Sequence, residues 1–189
     1  IYQKKPSEWP SYLIGNFSVS FYDPDKNKLT ILRDHFGSKP LYYFHSKEIF
    51  IFASEIKYIL SATNIKMTAN SKKIAQYLCQ YKETHHETFY HEIQSIPPSH
   101  YIEISREGLN LKKYKFYRDL SFKGKELKQA ALELREILRK SIKNRVIQNS
   151  RTGILVSGGL DSSAIYILSK TISSNTTILP MTMNFYDAT

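Results

Sequence analysis

Residues 152–163 read TGILVSGGLDSS, and the order of residue types there suits a site that holds a phosphate chain. Ile154, Leu155 and Val156 form a short apolar, mostly β-branched run, which predicts a buried parallel strand. Residues 164–169 (AIYILS) predict a helix, so the intervening segment is a strand-to-helix turn with Asp161 or Ser162 near the helix N-terminus. Gly158 and Gly159 lack Cβ atoms, so the backbone can turn sharply and aim several N–H groups at one anion. The helix N-terminus adds N–H groups without intrahelical partners and a partial positive charge. The hydroxyls of Ser157, Ser162 and Ser163 are further donors. Asp161 alone would repel a phosphate, but a carboxylate there helps hold a magnesium ion that bridges phosphate oxygens. The loop is not a Walker loop, because GxxxxGKS/T and its lysine are absent, nor a dinucleotide fingerprint, because GxGxxG is absent. The plain alternative is a serine-rich helix cap after a core strand. SGGLDSS directly behind an apolar strand is much rarer than a short Ser-Gly-Gly run, and this favours the phosphate reading.

The surrounding pattern supplies elements to carry this turn. In residues 125–147, Leu127, Ala131, Leu134, Leu138, Ile142 and Val146 step by three or four, an amphipathic helix of about six turns with basic residues on its other face. Residues 117–124 read as a linker, giving one domain over 1–117 and another over 118–189. The first domain opens with period-two segments. Residues 13–22 place apolar side chains at 17, 19 and 21, residues 23–27 form a Pro/Asp/Asn turn, and strands follow at 29–32, 41–44 and 49–53. These predict one antiparallel, half-buried sheet. A helical turn is expected at 55–60, then a helix capped by Ser71 that carries Ile74, Ala75, Tyr77 and Leu78, with Cys79 inside it as a small buried residue. Strands at 101–104 and 109–114 flank Gly108.

Composition sets outer limits. With 189 residues, 41% hydrophobic, 14 Tyr and 10 Phe, the chain can build a core, which excludes disordered and fibrous classes. No run approaches the roughly 18 apolar residues that span a bilayer. Residues 1–10 (IYQKKPSEWP) show no charged-then-apolar leader, so no membrane partner is expected. The single cysteine, Cys79, allows neither an internal disulfide nor a Cys-based zinc site, which fits a cytoplasmic location. His85, His86 and His91 lack a convergent ligand spacing and read as surface or loop residues. Of the +10 net charge, residues 112–151 hold +9. A nucleic-acid partner is disfavoured because no aromatic-interleaved basic motif accompanies it, and the stretch reads as a solvated helix face beside an anionic nucleotide. Ile1 in place of Met, and an end at residues 184–189 with no closing helix, lead us to expect a segment of something longer.

SGGLDSS resembles the pyrophosphate loop of the ATP pyrophosphatase group, whose signature is SGGxDS. The resemblance extends further. FSVSF with Asp23, then RDHFGSKPLYY from Arg33, then FASEIK from Phe52, are similar to the later half of the asparagine synthetase amidotransferase domain. IPPSH from Ile96 resembles that family's Pro-Pro-Gly turn with Ser99 in the glycine's place. The resemblance implies an α+β then α/β architecture: an incomplete antiparallel N-terminal-nucleophile amidotransferase sheet, then the start of a parallel-sheet ATP pyrophosphatase domain. It implies ATP and Mg2+ at Ser157, Gly158, Gly159, Leu160, Asp161, Ser162 and Ser163, with Asp161 toward the metal. Leu155 would lie beside adenine, residues 180–185 (PMTMNF) would form the second strand of that sheet, and Met183 there either touches adenine or is an ordinary core-strand residue. Arg33 and Asp34 are expected to brace the fold. The implied reaction makes asparagine from aspartate and glutamine through a β-aspartyl adenylate, with release of AMP and pyrophosphate, in an assembly compatible with a homodimer. The family's glutaminase uses an N-terminal cysteine whose own α-amine is the base. Ile1 and Cys79 do not supply it, so no catalytic residue is expected in this segment and by itself it should lack full activity. Lasso-peptide cyclases and β-lactam synthetases resemble the same scaffold, and Ser99 and Asn184 depart from the asparagine synthetase pattern in a way that keeps them open. A non-catalytic nucleotide- or RNA-binding module is the remaining alternative.

Overall fold

The computed structural model describes residues 9–81, 86–114, 126–147, 150–172 and 176–183; the expected linker at 117–124, and His85, lie outside the described residues. The chain divides into two compact units, Ile1–Leu120 and Ser121–Thr189. In the first, a 3-10 turn at Trp9–Tyr12 precedes strands β1 (Ser18–Asp23), β2 (Lys28–Arg33), β3 (Tyr42–His45) and β4 (Phe50–Ala53). Helices α1 (Ile56–Ser61) and α2 (Ser71–Leu78) follow, then β5 (Ile93–Ser95), β6 (His100–Ser105) and β7 (Gly108–Lys113).

The strands do not form the single sheet expected. They divide into an antiparallel sheet ordered β1-β2-β6-β7 and a second ordered β4-β3-β5. Alternation marks a strand but says nothing about distant pairing, and β2 takes as its second neighbour a strand some 70 residues on, with Ile31 opposite Ile102. Ile31, Ile102, Leu41, Tyr43 and Ile96 form one core cluster with contributions from both sheets. Leu32, on the opposite face of β2, packs with Trp9 and Tyr114, so this strand is covered on both faces. Full burial of a side chain such as Ile31 stabilises by roughly 2 kcal/mol. A third cluster seats Ile59 of α1 against Phe44 and Ile93.

Two local expectations are corrected at α2. Its cap is Asn70, whose Oδ1 accepts from the Lys73 N–H at 3.1 Å, and Ser71 is the first helical residue. Cys79 is the C-cap, and it is exposed rather than buried within the helix. The helix stops there because Gln80 adopts φ 56°. The turn at 23–27 forms as its residues suggest: Asp23 Oδ1 accepts from the Lys26 N–H, and Asn27 takes φ 45°.

Across β2, β6 and β7, Glu103 is held between Lys28 and Lys112, each Nζ 2.6 Å from a carboxylate oxygen. Burial pushes its carboxyl up, but the hydrogen bonds and charges of the two lysines outweigh this and hold it below the usual range. A depressed carboxyl contributes stability that is complete above its unfolded value, about 4.3, and is lost as pH falls through the folded value. The urea midpoint, followed by fluorescence of the single tryptophan, Trp9, should therefore drop less between pH 6 and pH 3 in Glu103→Gln than in the wild type. Parallel pH curves for the two proteins would refute this.

The second unit contains α3 (Leu127–Lys143), β8 (Arg151–Leu155), α4 (Leu160–Ile172) and β9 (Thr177–Met181). Strands β8 and β9 are parallel, with Gly153 opposite Leu179 and Leu155 opposite Met181, so β8-α4-β9 is a βαβ unit. The amphipathic helix is realised over a shorter span than 125–147. Strand β8 begins before Ile154, and it is not fully buried: Leu155 is 72% exposed. Among the described residues β9 is its one strand neighbour, and one face of the pair is open.

Candidate functional site

The site is built on the C-terminal ends of β8 and β9. Parallel pairing continues one step past β8, where the Val156 N–H donates to the Met181 carbonyl at 2.8 Å. The chain then leaves the sheet through Ser157, Gly158 and Gly159 and enters α4 at Leu160. Gly158 sits at φ 83°, a left-handed conformation that costs glycine little and other residues more. The turn is therefore a separate loop, not part of a continuous helix.

Ser162 shapes the loop from the first turn of α4. Its hydroxyl accepts from the Ser157 N–H at 3.2 Å and donates to the Gly159 carbonyl at 3.2 Å. The Ser157 and Ser162 hydroxyls also share a hydrogen bond at 3.0 Å. The Ser163 N–H returns to the Gly159 carbonyl. Ser162 therefore closes the loop from its helical side. The N–H groups of Gly158 and Gly159 in the loop, and of Leu160 and Asp161 in the first turn of α4, make no hydrogen bond to the described residues; for the helical pair this is what the start of a helix dictates. All four residues are exposed. They lie at the positive end of α4, an arrangement that stabilises negative charge.

A cavity of about 330 Å³ opens beside the loop, lined by Leu155, Val156, Ser157, Met181, Thr182 and Met183. Of the nine residues singled out from sequence, Leu155, Ser157 and Met183 meet there. Gly158, Gly159, Asp161 and Ser162 form the adjoining turn and first helical turn, whereas Leu160, 85% exposed, and the half-buried Ser163 do not line the cavity. Met183 follows the end of β9 and is 74% exposed, so it is not a core-strand residue. Val156, Met181 and Thr182 were not foreseen in the lining. The signal for Met181 lay in the parallel register, which sets it opposite Leu155.

Asp161 is exposed in the first turn of α4. Among the described residues no group of three His, Cys, Asp or Glu side chains is placed to hold a metal. His86 and His91 are exposed loop residues. A single exposed carboxylate fits an ion such as magnesium, which binds one or two carboxylates and takes its remaining ligands from phosphate and water.

The Arg33 and Asp34 motif in the first unit is bracing. The buried Asp34 carboxylate accepts from the N–H groups of Phe36, Ser38 and Lys39 at 2.9–3.1 Å. Burial pushes its carboxyl up, but those amides outweigh burial and hold it below the usual range. Arg33 donates to the carbonyls of Gly37, Lys39 and Ile96 and to Ser95 Oγ, so its donors are engaged by the fold. Ser99 adopts φ 62° and offsets that strain with bonds on every side: its N–H donates to the Asp34 carbonyl, its hydroxyl to the His35 carbonyl, and its own carbonyl accepts from Tyr114 N–H. The serine in this turn therefore has a structural explanation. Among the described residues no helix is long and apolar enough to cross a membrane.

A glutamine amidotransferase domain family matches residues 1–115, and an asparagine synthase family matches residues 133–186. The chain is 31% identical to asparagine synthetase (glutamine-hydrolyzing) 2 of Bacillus subtilis (strain 168), over 87% of this chain and 24% of that protein. It is 29% identical to asparagine synthetase B (glutamine-hydrolyzing) of Escherichia coli (strain K12), over 90% of this chain and 26% of that one. It is 25% identical to amidase chry2 of Gibberella zeae, over 93% of this chain and 27% of that protein. The chain thus spans about a quarter of the length of the curated relatives it matches.

Proposed function

The chain belongs to the asparagine synthetase family, a family of ligases and amidotransferases, and from that premise we propose that its SGGLDSS turn holds the β- and γ-phosphates of ATP. The observation that carries this reading is the exposed row of four unengaged amides at the head of α4, opening beside an apolar cavity. Residues 1–117 serve as the later part of a glutamine amidotransferase domain and residues 118–189 as the opening of the synthetase domain. Leu155 and Met183 receive the adenine end in the cavity, and the amides with Ser157 receive the phosphates. A carboxylate oxygen of the second substrate attacks the α-phosphorus, pyrophosphate departs, and an amine then displaces AMP from the acyl adenylate. The loop acts on the departing pyrophosphate, whose growing charge is met by fixed N–H dipoles that need no rearrangement. Asp161 is the residue that would hold a magnesium ion here, and such an ion would supply neutralisation of part of that charge. With aspartate as the carboxylate and glutamine as the nitrogen source, the product is asparagine. We place this activity in the cytoplasm, in a protein able to form a homodimer, and assign no residue of this chain to glutamine hydrolysis.

A second reading keeps the adenylating site and changes the carboxylate. The relative named an amidase favours it, since that protein is similar over nearly the whole of this chain.

Calorimetric titration of the 189-residue chain with MgATP tests the common core of both readings. Saturable binding is expected, and inorganic pyrophosphate should compete with it, because both occupy the same amides. Absence of binding, or binding indifferent to pyrophosphate, would sink the proposal.

A further inference from the structure

Gly153 is a glycine in the interior of a strand, where glycine weakens pairing and offers no side chain to pack. Its φ lies outside the left-handed region, so backbone conformation does not require it. Space does. A Cβ built on Gly153 would lie 2.6 Å from the Met181 sulfur and 3.7 Å from its Cγ. The register explains the encounter. Met181 is paired with Leu155, and Gly153 lies two residues back on the same face of β8, so the thioether folds diagonally across the strand into the room the glycine leaves. That direction leads away from the strand ends, where the cavity beside Ser157 opens, although Met181 also contributes to its wall.

We propose that the Gly153–Met181 contact sets the size of the apolar slot beside the SGGLDSS loop and thereby its acceptance of a nucleotide base, an inference that rests on the nucleotide reading above. With any side chain at position 153 the thioether must leave its seat. Met181 is 54% exposed and flexible, so the displacement costs the fold little. The side chain then swings toward Leu155 and Met183 and narrows the slot. Gly153 is thus a positioning residue: it acts through Met181.

The test uses Gly153→Ala, Met181→Ala and the double variant in the 189-residue chain, with methyl-13C-methionine spectra and titrations with MgATP and with magnesium tripolyphosphate. Three methionines, Met67, Met181 and Met183, give three resolvable signals. In Gly153→Ala the Met181 signal should move while that of Met67 stays. MgATP affinity should fall about tenfold, the effect of one misplaced methylene-sized group in a tight apolar site. Tripolyphosphate affinity should be unchanged. In the Met181→Ala background, Gly153→Ala should change MgATP affinity by less than about twofold, because the displaced group is gone. An unmoved Met181 signal, an unchanged MgATP affinity, an equal loss for tripolyphosphate, or an undiminished loss in the Met181→Ala background each overturns the inference. A wild-type chain that binds neither ligand overturns the nucleotide reading itself, and this inference with it.

Discussion

Asp161→Ala is expected to weaken MgATP binding on the order of 100-fold, the scale of losing one carboxylate's contribution to a metal-bridged phosphate site. The residue is exposed and makes none of the bonds that shape the loop, which belong to Ser157, Ser162 and Gly159. Thermal stability should therefore change only by the few tenths of a kcal/mol that an acidic residue contributes at a helix N-terminus. Repeating the titration with EDTA separates the causes. With both proteins in EDTA, the wild type should bind ATP no more tightly than the variant, because the carboxylate without its cation repels phosphate, whereas a carboxylate acting independently of metal would keep the wild type's advantage. Binding to a generic RNA through the basic stretch 112–151 should be the same for both proteins. Equal MgATP affinity in wild type and variant would remove Asp161 from the site.

What was legible beforehand was local. SGGLDSS announced a turn between a strand and a helix because glycine freedom, hydroxyl capping and helix polarity all operate within a few residues, and the turn stands where those residues lie. The period of α3 and the alternation of β1 and β6 were readable for the same reason. What stayed hidden depended on partners far along the chain. β1 and β2 parted from β3 and β4 because β2 pairs with β6 and β3 with β5, and no repeat within a strand encodes a neighbour. Leu155 read as buried because apolar β-branched runs usually are, yet that face of β8 is open. Ser99 looked like a departure at a glycine position. Its left-handed backbone is held by Asp34, His35 and Tyr114, residues that sequence alone does not place together.

In the same network, Asp34 is a position of large expected effect. Its carboxylate is fully buried and organises the reversal between β2 and β3 through the three backbone N–H groups of Phe36, Ser38 and Lys39. Its main-chain carbonyl accepts from Gly37 and Ser99 as well. Asp34→Ala removes an ionised acceptor from three donors at once. Hydrogen bonds to a charged group contribute about 1.5–3 kcal/mol each, and partial water access to the exposed turn residues reduces the sum, so a loss of about 3 kcal/mol is expected. Asp34→Asn should fall between the two, since its amide oxygen can still accept while its NH2 faces a donor. The measurement is urea unfolding followed by Trp9, which is buried against Leu32 and Tyr114 in the same unit. The pH dependence identifies the cause. Because the folded-state carboxyl lies below its usual value, near 3.9, the wild type's advantage over Asp34→Asn should be complete at pH 6 and shrink as the solution is acidified through that lowered value. A difference that persists unchanged at pH 2 would mean that shape, not charge, is what this aspartate contributes, and a loss under about 1 kcal/mol in Asp34→Ala would mean that the turn is held mainly by Arg33 from its other side.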